Sequence, residues 1–376
     1  MASHGIPRVA SGKTRSAEEY QKEQQRIKDY LDLKDLVHSK LTEQEYTPEV
    51  LQKTSELLSQ NPEYYTIWNG RRLILRQQFQ NAIPASNEPT SGALDARQTH
   101  ISHLIKTDLQ FLVPLLRQYP KCYWIWNYRL WLLEEATSLL PPYIARQFWE
   151  GELVLVGKML TFDGRNFHGW GYRRAIIAAL ADITATIDGE AGEPTEASKS
   201  AQELTNKELE YTTKMIKGNL SNFSAWHNRT KLALKILNDA SANDEKRKKM
   251  LDDELKLIHR ALFDPYDQSL WFYHQDLMCT FDPDMASQTM APNLDNPQRL
   301  DYVNQEIEMI EELLDGADDC KWVYQALVNC TLLAAKLEGT ISAEAKENIS
   351  KWVKELHKLD PLRRGRWEDL ERSLGI

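Results

Sequence analysis

Apolar residues recur every three to four positions over seven stretches of the chain, 48–60, 101–118, 143–161, 202–217, 244–263, 298–314 and 342–358. That period lines them up on one side of an α-helix. A charged stretch over 16–41 comes before them and reads as one more helix. Sustained two-residue alternation is missing, so the pattern predicts an all-α protein. Pro114 is expected to kink or split the helix it falls in.

The tryptophans fall between these stretches, and they repeat. Trp68-Asn-Gly-Arg71, Trp126-Asn-Tyr-Arg129, Trp170-Gly-Tyr-Arg173 and Trp226-His-Asn-Arg229 share W-x-x-R. A fifth copy, Trp271-Phe-Tyr-His274, carries His in place of Arg, and Trp322-Val-Tyr-Gln325 reads as a weaker sixth. The spacings are 58, 44, 56, 45 and 51 residues, which suits two helices and their connections plus insertions. Asn166, Asn222 and Asp267 stand four residues before their Trp and are good helix caps. Pro62, Pro120 and Pro265 stand six before and mark a turn. Each Trp helix should therefore begin about three residues before its Trp, at Tyr65, Tyr123, Phe167 and Phe223. Aromatic, Trp and Arg at i, i+3 and i+6 would then share roughly one face.

One helix pair cannot bury its apolar side alone, so the repeat implies a right-handed stack of antiparallel pairs, an α-solenoid. The Trp residues supply the seam between pairs. The Arg residues either hold carbonyls and carboxylates inside the stack or face a partner. A single helical-repeat domain over 16–376 is expected, after a flexible tail at 1–15. Pro-, Gly-, Ser- and acid-rich stretches at 80–97, 186–200 and 281–297 read as mobile surface insertions.

Net charge is −9, which disfavours a nucleic-acid backbone as partner. No run of apolar residues is long enough to span a membrane, and the N-terminus lacks the apolar core of a secretory signal. Cys122, Cys279, Cys320 and Cys330 form no metal-binding spacing. His100 and His103 have no acidic or thiol side chain close in sequence to complete a site. A cytoplasmic protein that binds no metal itself is expected.

The segments NPEYYTIWNGRRLIL, YPKCYWIWNYRLWLLEE, DGRNFHGWGYRRAI, NLSNFSAWHNRTKLAL and DPYDQSLWFYHQDL resemble the tandem repeats of protein prenyltransferase α subunits. DGRNFHGWGYRR, NLSNFSAWH and DPYDQSLWFYH are most similar to the Rab-directed, type II branch in its compact, fungal-style form. A proline-rich N-terminal tail, usual in the α subunit shared by farnesyltransferase and the type I enzyme, is absent, since only Pro7 occurs before Pro48.

The resemblance implies a crescent of helix pairs around a barrel-shaped β subunit that holds a catalytic zinc and most of the isoprenoid pocket. It implies transfer of geranylgeranyl from geranylgeranyl diphosphate to C-terminal cysteines of Rab GTPases, delivered by a Rab escort protein. Lys121 matches the P-K-x-Y lysine that reaches the diphosphate, His168 the N-Y-H histidine nearby, and Tyr123 an aromatic bordering that pocket. Phe167 departs from the Tyr of some relatives and loses its hydroxyl. Alternatives are the shared α subunit acting on CaaX proteins, and a noncatalytic repeat scaffold.

Overall fold

The computed structural model describes residues 16–82, 94–190 and 194–376, and every regular element among them is helical. Two compact units divide the chain, Met1–Ser198 and Lys199–Ile376. The first holds α1 (Ala17–Thr42), α2 (Pro48–Gln60), α3 (Tyr65–Gln80), α4 (Ala96–Gln118), α5 (Tyr123–Leu139), α6 (Pro142–Phe162) and α7 (Phe167–Glu190). The second holds most of α8 (Pro194–Gly218), then α9 (Phe223–Asp239), α10 (Asp244–Ala261), α11 (Gln268–Met278), α12 (Asn296–Leu313), α13 (Lys321–Glu338), α14 (Ala343–Leu359) and α15 (Arg364–Leu374). The tail at 1–15 and most of the 80–97 stretch lie outside the described residues.

Local chemistry sets the helix ends. Thr47 caps α2 with Pro48 at its first position, and Asp95 with Gln98 and Asp295 with Gln298 form reciprocal caps on α4 and α12. Asn222 and Asp267 accept backbone N–H bonds at the starts of α9 and α11. Gly339 ends α13 at a φ of 76°, which a side chain would resist. Helix α4 runs unbroken through Pro114, so of the expected kink or split the split does not occur. Pro114 and Gln110 both face solvent, so water can serve the carbonyl that the proline leaves without a donor.

The two remaining insertions also differ from expectation. Residues 186–190 and 194–200 continue α7 and α8 as helix, with 191–193 outside the description. Residues 281–297 are packed, not loose: Phe281, Ala286, Met290, Ala291 and Leu294 are buried there. Lys336 grips Asp282 and Asp284, and Arg247 donates to the Met290 carbonyl. Apolar residues scattered among prolines and acids show no period, so the pattern hid their burial.

Two repeated devices build the stack. In the first, each Trp indole N–H donates to the carbonyl six residues earlier: Pro62 for Trp68, Pro120 for Trp126, Gly164 for Trp170, Leu220 for Trp226 and Pro265 for Trp271, at 2.6–2.9 Å. All five indoles are buried. The bond folds the turn before each helix back onto its first turn and satisfies the one polar atom of a large apolar ring.

The second device joins one pair to the next. Arg71, Arg129 and Arg229 are buried, and each donates to the carbonyl twenty residues earlier, at Leu51, Leu109 and Leu209. Each also grips a buried carboxylate on the following pair: Asp108, Glu152 and Glu254. That carboxylate accepts in turn from a Tyr hydroxyl on the same following pair, Tyr128, Tyr172 and Tyr273. Burial and the adjacent carboxylate push these three hydroxyls well above their ordinary range, so they remain donors. The same Tyr rings pack on the preceding Trp, with centroids 4.9 Å apart for Trp68–Tyr128, 5.2 Å for Trp126–Tyr172 and 4.6 Å for Trp226–Tyr273. Arg173 is buried like its counterparts.

Both ends of the array depart from the rule. Where later copies carry Tyr or Asn, the first has Gly70, and a Cβ there would lie 2.5 Å from Leu41 of α1. The sixth copy is offset by two residues from the Trp322 register. Cys320 caps α13 as Cys122 caps α5, and the Tyr324 hydroxyl donates to the Asp318 carbonyl six residues back. Tyr324 is thus the counterpart of the repeat indole, and Trp322 matches Trp124. At the fifth copy His274 replaces Arg and meets Glu306, which His259 also bonds, each at 2.9 Å. Burial alone would raise the Glu306 carboxyl, but the bonds from His259 and His274 outweigh it and hold it at about 2.

Two outcomes follow from these joints. Arg129→Met strands Glu152 in the interior, so the free energy of opening α5 and α6, read by hydrogen exchange in the full chain, should drop by about 3–5 kcal/mol. A loss below about 1 kcal/mol would show that the joint is not structural. For Glu306 the folded value lies below the ordinary 4.5, so its contribution is present above 4.5 and disappears as pH falls toward about 2. Acid unfolding of the second unit across that window should be steeper in the wild type than in Glu306→Gln, and equal slopes would refute the assignment.

Candidate functional site

Each Trp helix begins where its turn ends, and that end of unit 1 is lined with rings. Tyr65 and Tyr123 are each about half exposed and Phe167 is 77% exposed. The aromatic residue three before each Trp therefore does not share the buried face with Trp and Arg. It is the first residue of its helix, where the side chain leans back over the turn into solvent. Tyr65 stacks on Trp124 at 5.4 Å, Trp124 meets Tyr123 edge-on at 5.1 Å, Tyr123 lies 6.1 Å from His168, and His168 meets Phe167 at 5.7 Å. One continuous aromatic row results. In unit 2 a separate row runs Phe223, Phe272, Trp322. Phe162 in unit 1, and Phe263 and Leu362 in unit 2, stand 80–98% exposed in or beside the turns. Exposed apolar rings in such series mark a surface built to be covered.

Lys121, Tyr123 and His168 are brought together on the first row. Lys121 sits in the turn before α5, one residue ahead of the cap Cys122, with its side chain about half exposed. Its ammonium lies 3.9 Å from Asp163, a loose and hydrated pair worth little and easily displaced. His168 is the second residue of α7, and its backbone N–H is capped by Asn166. The Tyr123 hydroxyl accepts from Asn127 at 3.3 Å. A lysine, an imidazole and two helix starts at one edge suit a polyanion such as a diphosphate.

Two features here escaped the sequence reading. The Arg partners Asp108, Glu152 and Glu254 stand at no fixed offset in the sequence; the usable signal is the Tyr two residues after Trp at Tyr128, Tyr172 and Tyr273. The tie from Asn166 back to the Lys121 turn was also missed, because capping explains that asparagine without it. His100 and His103 are exposed on α4. Among the described residues no three His, Cys, Asp or Glu side chains gather in a way that could hold a metal ion, and no helix is long and apolar enough to cross a membrane.

Comparison with known proteins fits this geometry. The protein prenyltransferase alpha subunit repeat matches residues 48–78, 105–136, 149–180 and 205–236, each a stretch holding one W-x-x-R. The geranylgeranyl transferase type-2 subunit alpha of Schizosaccharomyces pombe is 35% identical, over 99% of this chain and 98% of its own. The protein of that name from Saccharomyces cerevisiae is 32% identical, over 97% of each chain. A solved structure, described as Candida albicans protein geranylgeranyltransferase-I complexed with GGPP, shares the fold with a TM-score of 0.58 at 20% identity, covering 92% of this chain and 90% of that one. With the interlocking Trp, Tyr and Arg lattice inside the matched repeats and the likeness running nearly end to end, this chain belongs to the protein prenyltransferase α-subunit family, among the type-2 geranylgeranyl transferase α subunits.

Proposed function

We propose that this chain acts with a prenyltransferase β subunit to move geranylgeranyl from its diphosphate to C-terminal cysteine thiols of Rab GTPases presented by a Rab escort protein, in the cytoplasm. The observation that carries the reading is the edge of unit 1, where Lys121 and His168 lie at adjacent helix starts on an exposed aromatic row. Apolar rings there suit burial against a second subunit, and the cations among them suit a phosphate group held at the seam.

The bond that breaks joins C1 of the prenyl chain to the diphosphate oxygen, and the bond that forms joins C1 to sulfur. Negative charge grows on the leaving oxygens as the first bond lengthens. Lys121 contributes a compact ammonium whose present partner is a loose, exposed carboxylate, so the exchange of Asp163 for a phosphate oxygen costs little. His168 supplies a ring beside Tyr123 and a site on the first turn of α7. Tyr123 walls the edge. Among the described residues no set fits zinc, which belongs on the β subunit in this reading and would there supply the thiolate.

Three measurements test the proposal. The purified chain with geranylgeranyl diphosphate, zinc and acceptor should show no turnover, and activity should appear with a β subunit at 1:1. That heterodimer should modify escort-bound Rab and use CaaX peptides poorly. Turnover by the chain alone, or efficient CaaX modification, would redirect the assignment to another catalyst or to the shared α subunit. Lys121→Ala should slow single-turnover transfer by about 10-fold, the low end of a range reaching about 1000-fold, with assembly intact. Lys121→Arg should recover part of the loss. A wild-type rate and diphosphate affinity in Lys121→Ala would remove the lysine from the chemistry.

A further inference from the structure

Asn166 is almost wholly buried, at 4% exposure, between the turn that carries Lys121 and the helix that carries His168. Its Oδ1 caps α7, accepting from the backbone N–H of His168 at 3.0 Å and of Gly169 at 3.2 Å. Its Nδ2 reaches the other way and donates to the Pro120 carbonyl at 2.9 Å. That carbonyl belongs to the peptide linking Pro120 to Lys121. It also accepts from the Trp126 indole at 2.9 Å, so two good donors hold one peptide oxygen. Gly169 completes the joint, since a Cβ there would lie 3.0 Å from Leu160 and push the start of α7 off α6.

The joints at Pro62 and Pro265 are made more weakly, whereas at the Asp267 joint the Ser221 hydroxyl donates to the carboxylate. Pro62 accepts from Trp68 and from the Cys122 thiol at 3.5 Å, and Pro265 from Trp271 and the Cys320 thiol at 3.3 Å. A thiol is a poor donor and an amide a good one. The amide tie falls at the joint between the turn of Lys121 and the helix start of His168.

We infer that Asn166 is a positioning residue for the transfer reaction, holding the peptide of Lys121 in fixed register with the first turn of the His168 helix. The inference rests on the diphosphate role given to Lys121. It differs from a capping role because capping uses Oδ1 alone, whereas the register depends on Nδ2. A side chain that keeps the cap and drops the amide separates the two.

Asn166→Ser is that variant, since serine caps helices about as well as asparagine. In the heterodimer with its β subunit, the expected result is unchanged stoichiometry, a thermal midpoint lowered only slightly by the lost buried bond, unchanged KM for the escort-bound acceptor, and single-turnover transfer slowed roughly 3- to 30-fold. In a Lys121→Ala background the same substitution should add no further loss, because the residue acts through the lysine. Asn166→Thr replaces the serine variant if the latter assembles poorly. A slow Lys121→Ala with wild-type turnover in Asn166→Ser overturns the inference and leaves the diphosphate role standing. Full additivity of the two substitutions likewise overturns it. A wild-type rate in Lys121→Ala removes both.

Discussion

A buried guanidinium shared between one helix pair and the next is the interaction on which the rest of this fold depends. Each of Arg71, Arg129 and Arg229 gives one arm to a carbonyl of its own pair and the other to a carboxylate of the following pair. Ion pairs buried this deeply are seldom a net source of stability against an apolar alternative, yet they tolerate little misalignment. Leucine on leucine could slide along such a seam; a two-pronged bond with a tyrosine on the same carboxylate cannot. The joints therefore set the angle and offset at which successive pairs meet, and apolar burial supplies the driving force.

Because the offset is fixed inside each unit, the turns arrive at one edge in register. The indole-to-carbonyl bond makes each turn rigid relative to its helix, and the Arg joint makes each helix rigid relative to the next. Lys121 and His168 belong to different pairs but need no flexible loop to come together. Side chains set on such positions are laid out by the fold itself, so little ordering would remain for a ligand that took both.

The helices and the start of each Trp helix were legible in the sequence, because caps, prolines and the Trp recur at constant offsets. Asn222 and Asp267 fall at fixed distances from their Trp and cap the helices they precede. The carboxylate partners were not legible. They lie 37, 23 and 25 residues beyond their Arg, since the intervening turns and insertions vary in length. The sixth copy misled because Trp322 is the more conspicuous residue, while the position is defined by the carbonyl its side chain reaches, and Tyr324 makes that bond. At the candidate site the residue types came from family likeness, whereas the second bond of Asn166 exists only in three dimensions.

The thiols that donate to turn carbonyls carry a chemical implication of their own. Burial holds the Cys122 sulfur up at about 11, and it likewise raises Cys279, Cys320 and Cys330. An enzyme family that alkylates sulfur consumes thiolates, and at neutral pH these four side chains are thiols. Cys122 is adjacent to Lys121 in sequence, yet it points inward to the Pro62 carbonyl with 3% of its surface exposed. The same contact that closes a joint between helix pairs thus keeps the thiol beside Lys121 protonated and away from solvent.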